Sequence, residues 1–280
     1  MASRSELHPL YLEGPNGPLF AVWHRPAGDP AETVLYLPPF AEEMNRSRRT
    51  IALLGRAMAA RGLGLFVLDL YGTGDSAGGF EEASWTGWLA DADAAVRFIE
   101  TAGGRVAGTM GLRTGALLAL ATARTQSLER AVLCQPVESG RAYLTGLLRS
   151  RITAAQAGDG PRVTIAGLRD SLAAGASIEI MGYPLSPSLH REFETAALAE
   201  AGAGFTGQID WLRLTPRPSD AVPQKLADDM ARLAAAMPGK LTSQAIESPS
   251  FWLLEEAPVA DRFVFETVSI WLDPANREAA

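Results

Sequence analysis

The stretch Arg105–Leu120, RVAGTMGLRTGALLAL, has the residue types of a reactive centre with its reactive atom exchanged. An apolar run ends in Gly111-Leu112-Arg113-Thr114-Gly115 and continues as an apolar helical segment. Glycines spaced G-x-x-x-G let a strand turn sharply into a helix, because a turn packed against its neighbours has no room for side chains. The middle residue of such an elbow normally carries the nucleophile: Ser, Cys or Asp. Here it is Arg113. A guanidinium is protonated at ordinary pH and has no lone pair to attack with. It can hold an anion instead. A helix N-terminus already favours negative charge, and the planar fork of arginine suits carboxylate, phosphate or sulfate. The other use for Arg113 is structural, as a buried ion pair with Glu42, Glu43 or Asp220. The two uses coexist if the acid releases Arg113 when an anionic ligand arrives.

The remaining parts of an acyl-transfer centre follow the elbow in the order acid, then histidine. Asp220, in Pro218-Ser219-Asp220-Ala221-Val222-Pro223, fits the acid position. The histidine position falls in Glu247-Ser248-Pro249-Ser250-Phe251-Trp252, and His8, His24 and His190 all precede Asp220. The loop that should stabilise an oxyanion carries Pro38-Pro39-Phe40. Proline has no N–H to donate there. In a Ser-His-Asp enzyme, loss of the nucleophile or the histidine costs about 10⁶ in kcat. This sequence, lacking both, does not encode an efficient serine esterase.

What remains around the elbow is Phe40, Glu42, Glu43, Asn45 and Arg46 from the loop, with Leu112, Arg113 and Thr114. These are the candidate ligand-binding residues. Glu42 or Glu43 faces the site as a general base, or as a partner for Arg113 or Arg46. Asn45, Arg46, Arg48 and Arg49 either grip an anionic group or form a solvated cluster at a helix start. Asp69 and Asp75 fit as braces of the loop Tyr71–Ser76, and Cys134 in an apolar strand fits an inert core thiol. Ser76 and Ser139 are spare hydroxyls without an evident histidine. No His, Cys or Asp cluster has metal-ligand spacing, and no cofactor is implied.

The elements that must position these groups alternate. Short strands are expected around Leu10–Leu12 and Pro18–His24, then buried strands at Thr33–Leu37, Gly64–Leu70, from Arg105 into the elbow, and at Arg130–Gln135. Helices are expected at Arg48–Arg61 and Trp85–Ala102, and after the elbow, with Pro38–Asn45 as a polar loop. Such alternation gives an α/β fold: a mostly parallel central sheet flanked by helices, with ligands beyond the strand C-termini. From Val137 to Gly207 the pattern breaks into helical pieces (Arg141–Arg151, Val163–Ala174, Leu189–Ala201). The expected organisation is a core of residues 1–136 and 208–280, with residues 137–207 inserted after the sixth strand as a helical cap. The core resumes with strands at Gln208–Leu214 and Lys240–Ile246 and helices at Val222–Ala236 and Val259–Leu272.

A net charge of −7 over 280 residues argues against nucleic acid or an anionic membrane as the main partner. One cysteine permits no internal disulfide and points to a reducing compartment. The N-terminal MASRSELHPLYLEG lacks the apolar core of a signal peptide, and no apolar run reaches a membrane-spanning length, so the expected location is cytoplasmic. The expected partner is a small anionic or acyl-bearing ligand, with homodimerisation left open.

Several stretches together carry a family likeness: PPFAEEMNRSRR (Pro38–Arg49), DLYGTGDSAG (Asp69–Gly78), GLRTGALLAL (Gly111–Leu120), QPVESG (Gln135–Gly140), GYPLSP (Gly182–Pro187) and ESPSFW (Glu247–Trp252). In these the chain resembles the α/β-hydrolase-like proteins called exosortase A system-associated hydrolase 2. The resemblance runs over most of the chain. It implies the α/β-hydrolase fold, a bacterial protein encoded near exosortase and exopolysaccharide functions, and a hydrolase of the ester or thioester class. A family name is not a demonstrated activity. A binder of an anionic metabolite or polymer end, or an interaction protein presenting Trp85, Trp88 and the cap, uses the same residues.

Overall fold

The computed structural model describes residues 6–27, 32–156, 163–217, 221–256 and 258–273. Strands β1 (Glu6–Gly14) and β2 (Gly17–Arg25) form an antiparallel hairpin at one sheet edge. The parallel strands are β3 (Glu32–Leu37), β4 (Gly64–Leu68), β5 (Arg105–Leu112), β6 (Arg130–Cys134), β9 (Gln208–Thr215) and β10 (Lys240–Glu247). Between β6 and β9 the chain makes a separate small hairpin, β7 (Ile178–Ile180) with β8 (Tyr183–Leu185). The main sheet has the order β1-β2-β4-β3-β5-β6-β9-β10, the mostly parallel, helix-flanked sheet expected from the alternating pattern and the α/β-hydrolase fold that the resemblance implies.

Successive residues of each central strand serve opposite cores. Leu35 and Leu37 of β3 face one side, while Val34 and Tyr36 face the other. Helices α2 (Trp85–Thr101), α3 (Gly115–Thr125) and α8 (Gln224–Ala236) cover the first face. Helices α1 (Glu42–Ala59) and α9 (Asp261–Leu272) cover the second. The α2 start follows from capping: the Ser84 hydroxyl accepts from the Gly87 N–H at 3.0 Å.

Three elements differ from the sequence reading, one of them the expected helical piece Leu189–Ala201, which the extended residues Ala196 and Ala197 split into helices Pro187–Thr195 and Leu198–Ala201. Helix α1 begins at Glu42, so Glu42–Asn45 are a first helical turn rather than a loop. Ala41 precedes that turn at φ 57° and gives no side-chain cap, so the start lacks its usual signature. Acidic Glu42 and Glu43 suit the helix N-terminus, and Met44 begins the buried stripe continued by Ile51, Leu54 and Met58. The β7–β8 hairpin was not anticipated either. It turns through Met181 and Gly182, both at positive φ, without the Asn-Gly pair that usually marks such a turn.

The segment between β6 and β9 also holds α4 (Gly140–Gln156), α5 (Ile165–Ala173), α6 (Pro187–Thr195) and α7 (Leu198–Ala201). It packs beyond the C-terminal ends of β3 and β4. Tyr143 and Phe193 meet Phe40 there, and Tyr183 meets Phe80. Among the described residues no helix is long and apolar enough to cross a membrane.

Candidate functional site

Backbone geometry builds the elbow before any side chain acts. A Cβ on Gly111 would lie 2.2 Å from the Gly115 carbonyl oxygen, and one on Gly115 would lie 2.2 Å from that of Leu37. Those contacts admit no side chain, so the turn can close against β3 only with glycine at both positions. Arg113 between them adopts φ 56°. A non-glycine residue in the left-handed region costs of order 1–3 kcal/mol and persists only where its surroundings enforce it. Ala41 (φ 57°) and Gln135 (φ 43°) share this conformation at neighbouring strand ends. Three of the five non-glycine residues with positive φ among the described residues therefore ring one spot. Strain concentrated in this way marks a functional locus more often than a packing accident.

At that spot stands the Arg113 guanidinium. Its Nε donates to Glu43 Oε1 at 3.3 Å and its Nη1 to the Gln135 carbonyl at 3.3 Å. The Trp252 ring centroid lies 5.7 Å away, a cation–π distance. Nη2 makes no hydrogen bond among the described residues, and the side chain keeps 21% exposure. Gln135 is itself fixed: its N–H donates to the Leu212 carbonyl and its side-chain oxygen accepts from the Leu214 N–H, both at 2.8 Å. The arginine is thus held on one edge and open on the other.

Glu43 is the second member. Its Oε2 is buried without a hydrogen bond of ordinary geometry, and Tyr143 from α4 lies against it. Burial pushes the carboxyl above the usual glutamate range, and Arg113 and Tyr143 only partly offset that. Burial also pushes the Tyr143 phenol well up. The sign of the stability effect follows. Because the fold prefers protonated Glu43, that preference stabilises fully below the unfolded glutamate value, 4.5, and is lost as pH rises through the raised folded value. Glu43→Gln is therefore expected to gain in Tm over the parent from pH ~4 to ~8, by a few degrees at most. Thermal melts of both proteins across that range check it.

The other sequence candidates separate into two groups. Glu42, Asn45 and Arg46 tie elements together. Arg46 pairs with Glu42 at 3.3 Å and donates to the Leu253 carbonyl, while Asn45 Nδ2 donates to the Tyr183 hydroxyl at 2.7 Å. The Arg46 guanidinium is thus occupied by the β10–α9 loop rather than open to a ligand. Phe40, Leu112 and Thr114 are buried. Leu112 packs in the core under α1 and α9, and Phe40 is locked among Phe80, Trp88, Tyr143 and Phe193 at ring-centroid distances of 5.3–6.0 Å. Trp88 is accordingly interior, 1% exposed. Asp220 lies outside the described residues.

Among the described residues no imidazole hydrogen-bonds a hydroxyl or a thiol, and His8 lies beside Glu6 on β1. His24 is buried against Gly55 on the α1 face, and burial with the Arg56 charge lowers it to about 4. His190 on α6 has its Nε2 buried without a partner, and burial lowers it as well. Neither ring hydrogen-bonds a hydroxyl among the described residues. Asp69 accepts from Arg48 Nη2 at 2.9 Å and from the Asp75 N–H at 3.1 Å, which braces the Gly-rich loop. Cys134 is fully buried, and burial raises its thiol. Among the described residues no three His, Cys, Asp or Glu side chains gather to hold a metal.

Sequence reasoning missed Tyr143, Gln135 and Trp252 as neighbours of the guanidinium. The last had a signal: it sits in the loop after the final strand, where the third triad member belongs.

The chain matches no family model and no curated relative. Its fold does match solved structures. The Est1E protein of Butyrivibrio proteoclasticus, with ferulic acid bound, superposes at a TM-score of 0.65 with 14% identity, covering 96% of this chain and 98% of that one. The esterase domain of a Rhodothermus marinus protein gives 0.62 with 15% identity, covering 97% and 98%. A putative hydrolase from Agrobacterium vitis gives 0.57 with 17% identity, covering 96% and 99%. At these identities the likeness shows the α/β-hydrolase fold alone.

Proposed function

We propose that this protein is an α/β-hydrolase-fold protein that binds a small anionic or acyl-bearing ligand at Arg113 and has no serine triad. The observation that carries the reading is the uncommitted edge of the guanidinium. Nη2 is unbonded among the described residues, its side chain is partly exposed, and Arg113 precedes the N-terminus of α3, whose dipole adds its own attraction for negative charge. A carboxylate, phosphate or sulfate is the complementary ligand. The insertion between β6 and β9 acts as a cap over it, contributing Tyr143. The stretch Pro38–Arg49 that carries the likeness to exosortase A system-associated hydrolase 2 supplies Glu43 to this same site. That coincidence supports a cytoplasmic role beside exosortase and exopolysaccharide functions.

A second reading, residual hydrolysis, is favoured by Glu43 Oε2. A carboxyl raised by burial, with one oxygen held by Arg113 and the other lacking a hydrogen bond of ordinary geometry, suits a general base. It would take a proton from water as the water oxygen bonds an ester or thioester carbonyl, while Arg113 holds the oxyanion. Collapse breaks the bond to the leaving alcohol or thiol, which takes the proton back. Two assays separate the readings. A serine-directed fluorophosphonate is expected to leave the protein unlabelled, and acyl-nitrophenyl esters are expected to hydrolyse no faster with the parent than with Glu43→Gln. Turnover lost in Glu43→Gln establishes the second reading; labelling overturns both.

A further inference from the structure

A cavity lies under α1, against strands β1 to β4. Its volume is about 220 Å³. That exceeds the roughly 150 Å³ of an apolar cavity able to hold a benzene ring. Val22, Ile51, Ala52 and Val67 give it apolar walls. Six polar side chains also line it: Arg48 and Asp69 are paired with each other at 2.9 Å and Ser47 is engaged with the Met44 carbonyl, which leaves Tyr36, His24 and Arg56.

The Tyr36 side chain is 1% exposed, and its hydroxyl makes no hydrogen bond of ordinary geometry. The neighbouring Ser47 spends its own hydroxyl proton on the Met44 carbonyl at 2.9 Å. His24, 2% exposed, makes no side-chain hydrogen bond among the described residues. At the rim Arg56 is exposed and has no ion-pair partner among them. Protein interiors satisfy nearly all buried polar groups, and an orphaned hydroxyl beside a cavity marks a place for a ligand atom. The polar groups fall into two sets: His24, packed against Gly55, lies beside Arg56, while Tyr36 lies by Ser47 and the Arg48–Asp69 pair, with the aliphatic walls between.

We infer that this cavity is a second ligand site, built for a single-ring aromatic acid bearing a hydroxyl. The carboxylate meets Arg56 beside His24, the ring lies against Val22 and Ile51, and the hydroxyl reaches Tyr36. Arg56 stands 13 residues along α1 from Glu43, about 20 Å by helical rise, so the carboxylate end of the cavity is remote from the elbow; Pro38 and Met44 line its other end, and Arg113 does not line it.

The probe is 4-hydroxybenzoate, titrated calorimetrically into the full-length protein. A ligand of about ten heavy atoms in such a pocket is expected at a Kd of ~1 mM or tighter. Arg56→Gln, a surface change, is expected to weaken it about tenfold, and Ala52→Phe, which fills the cavity from the helix, to abolish it. Tyr36→Phe is expected to cost several-fold with 4-hydroxybenzoate and nothing with benzoate. Arg113→Ala is expected to leave binding unchanged, so the outcome is independent of the elbow reading. Absence of binding at about 10 mM overturns the inference. So does binding indifferent to both Arg56→Gln and Ala52→Phe, or binding lost in Arg113→Ala.

Discussion

Arg113→Ala is expected to weaken binding of a small carboxylate or phosphate on the order of 100-fold. A bidentate arginine–oxyanion contact contributes two charge-assisted hydrogen bonds, each worth about 1.5–3 kcal/mol. The α3 N-terminus that remains supplies only about 0.3–1 kcal/mol. At a ligand concentration 100 times the parent Kd, binding stabilises the parent by about 2.7 kcal/mol and the variant by about 0.4 kcal/mol. For a chain of this size that corresponds to Tm rises of roughly 5–10 °C and ~1 °C. Thermal melts with a panel of phosphorylated and carboxylated metabolites measure both.

The unliganded Tm of the same variant decides the competing use of Arg113. Removing one side of a fully buried ion pair costs about 3–5 kcal/mol. The Arg113–Glu43 contact is single, 3.3 Å long, and one-fifth exposed on the arginine side. Its expected cost is nearer 1 kcal/mol. Arg113→Gly, which tolerates φ 56°, is expected to melt higher than Arg113→Ala. A large destabilisation in both variants, with no anion raising the parent Tm, would make the residue a structural brace and overturn the binding proposal.

The parts of the fold fixed by local pattern were legible in the sequence. The G-x-x-x-G spacing located the elbow because backbone clash at Gly111 and Gly115 leaves no other residue type. The apolar runs at Thr33–Leu37 and Arg130–Cys134 read as strands because both of their faces are buried. The start of α1 was hidden, since Ala41 caps through backbone conformation and leaves no Ser, Thr or Asp to read. At the site, Arg113 and its candidate partner Glu43 were visible as residues that had to find opposite charge. Which of Glu42 and Glu43 would do so depended on helix phase: once α1 starts at Glu42, Glu43 turns to the elbow while Glu42 turns to Arg46. Tyr143 and Trp252 arrive from elements 30 and 139 residues beyond the arginine. No local signal encodes that convergence.

Phe40→Ala is expected to destabilise the protein by about 3–5 kcal/mol, lowering Tm by roughly 6–20 °C. Phe40 leaves β3 where an oxyanion loop would run, yet its ring is 3% exposed and touches four aromatic rings. Two of those rings, Tyr143 and Phe193, belong to the inserted segment, so the side chain fastens that segment to the sheet. Truncation leaves a hole lined by Phe80, Trp88, Tyr143 and Phe193, and partial collapse sets where in the range the cost falls. An apolar hole of that kind stays dry and accepts a small aromatic molecule. Benzene or indole is therefore expected to restore part of the lost Tm in Phe40→Ala and to leave the parent unaffected. Rescue would establish that the ring fills the space an acyl chain would need beside the elbow. A loss below about 1 kcal/mol, or a parent that takes up the same molecules, would mean the space beside Arg113 is already open.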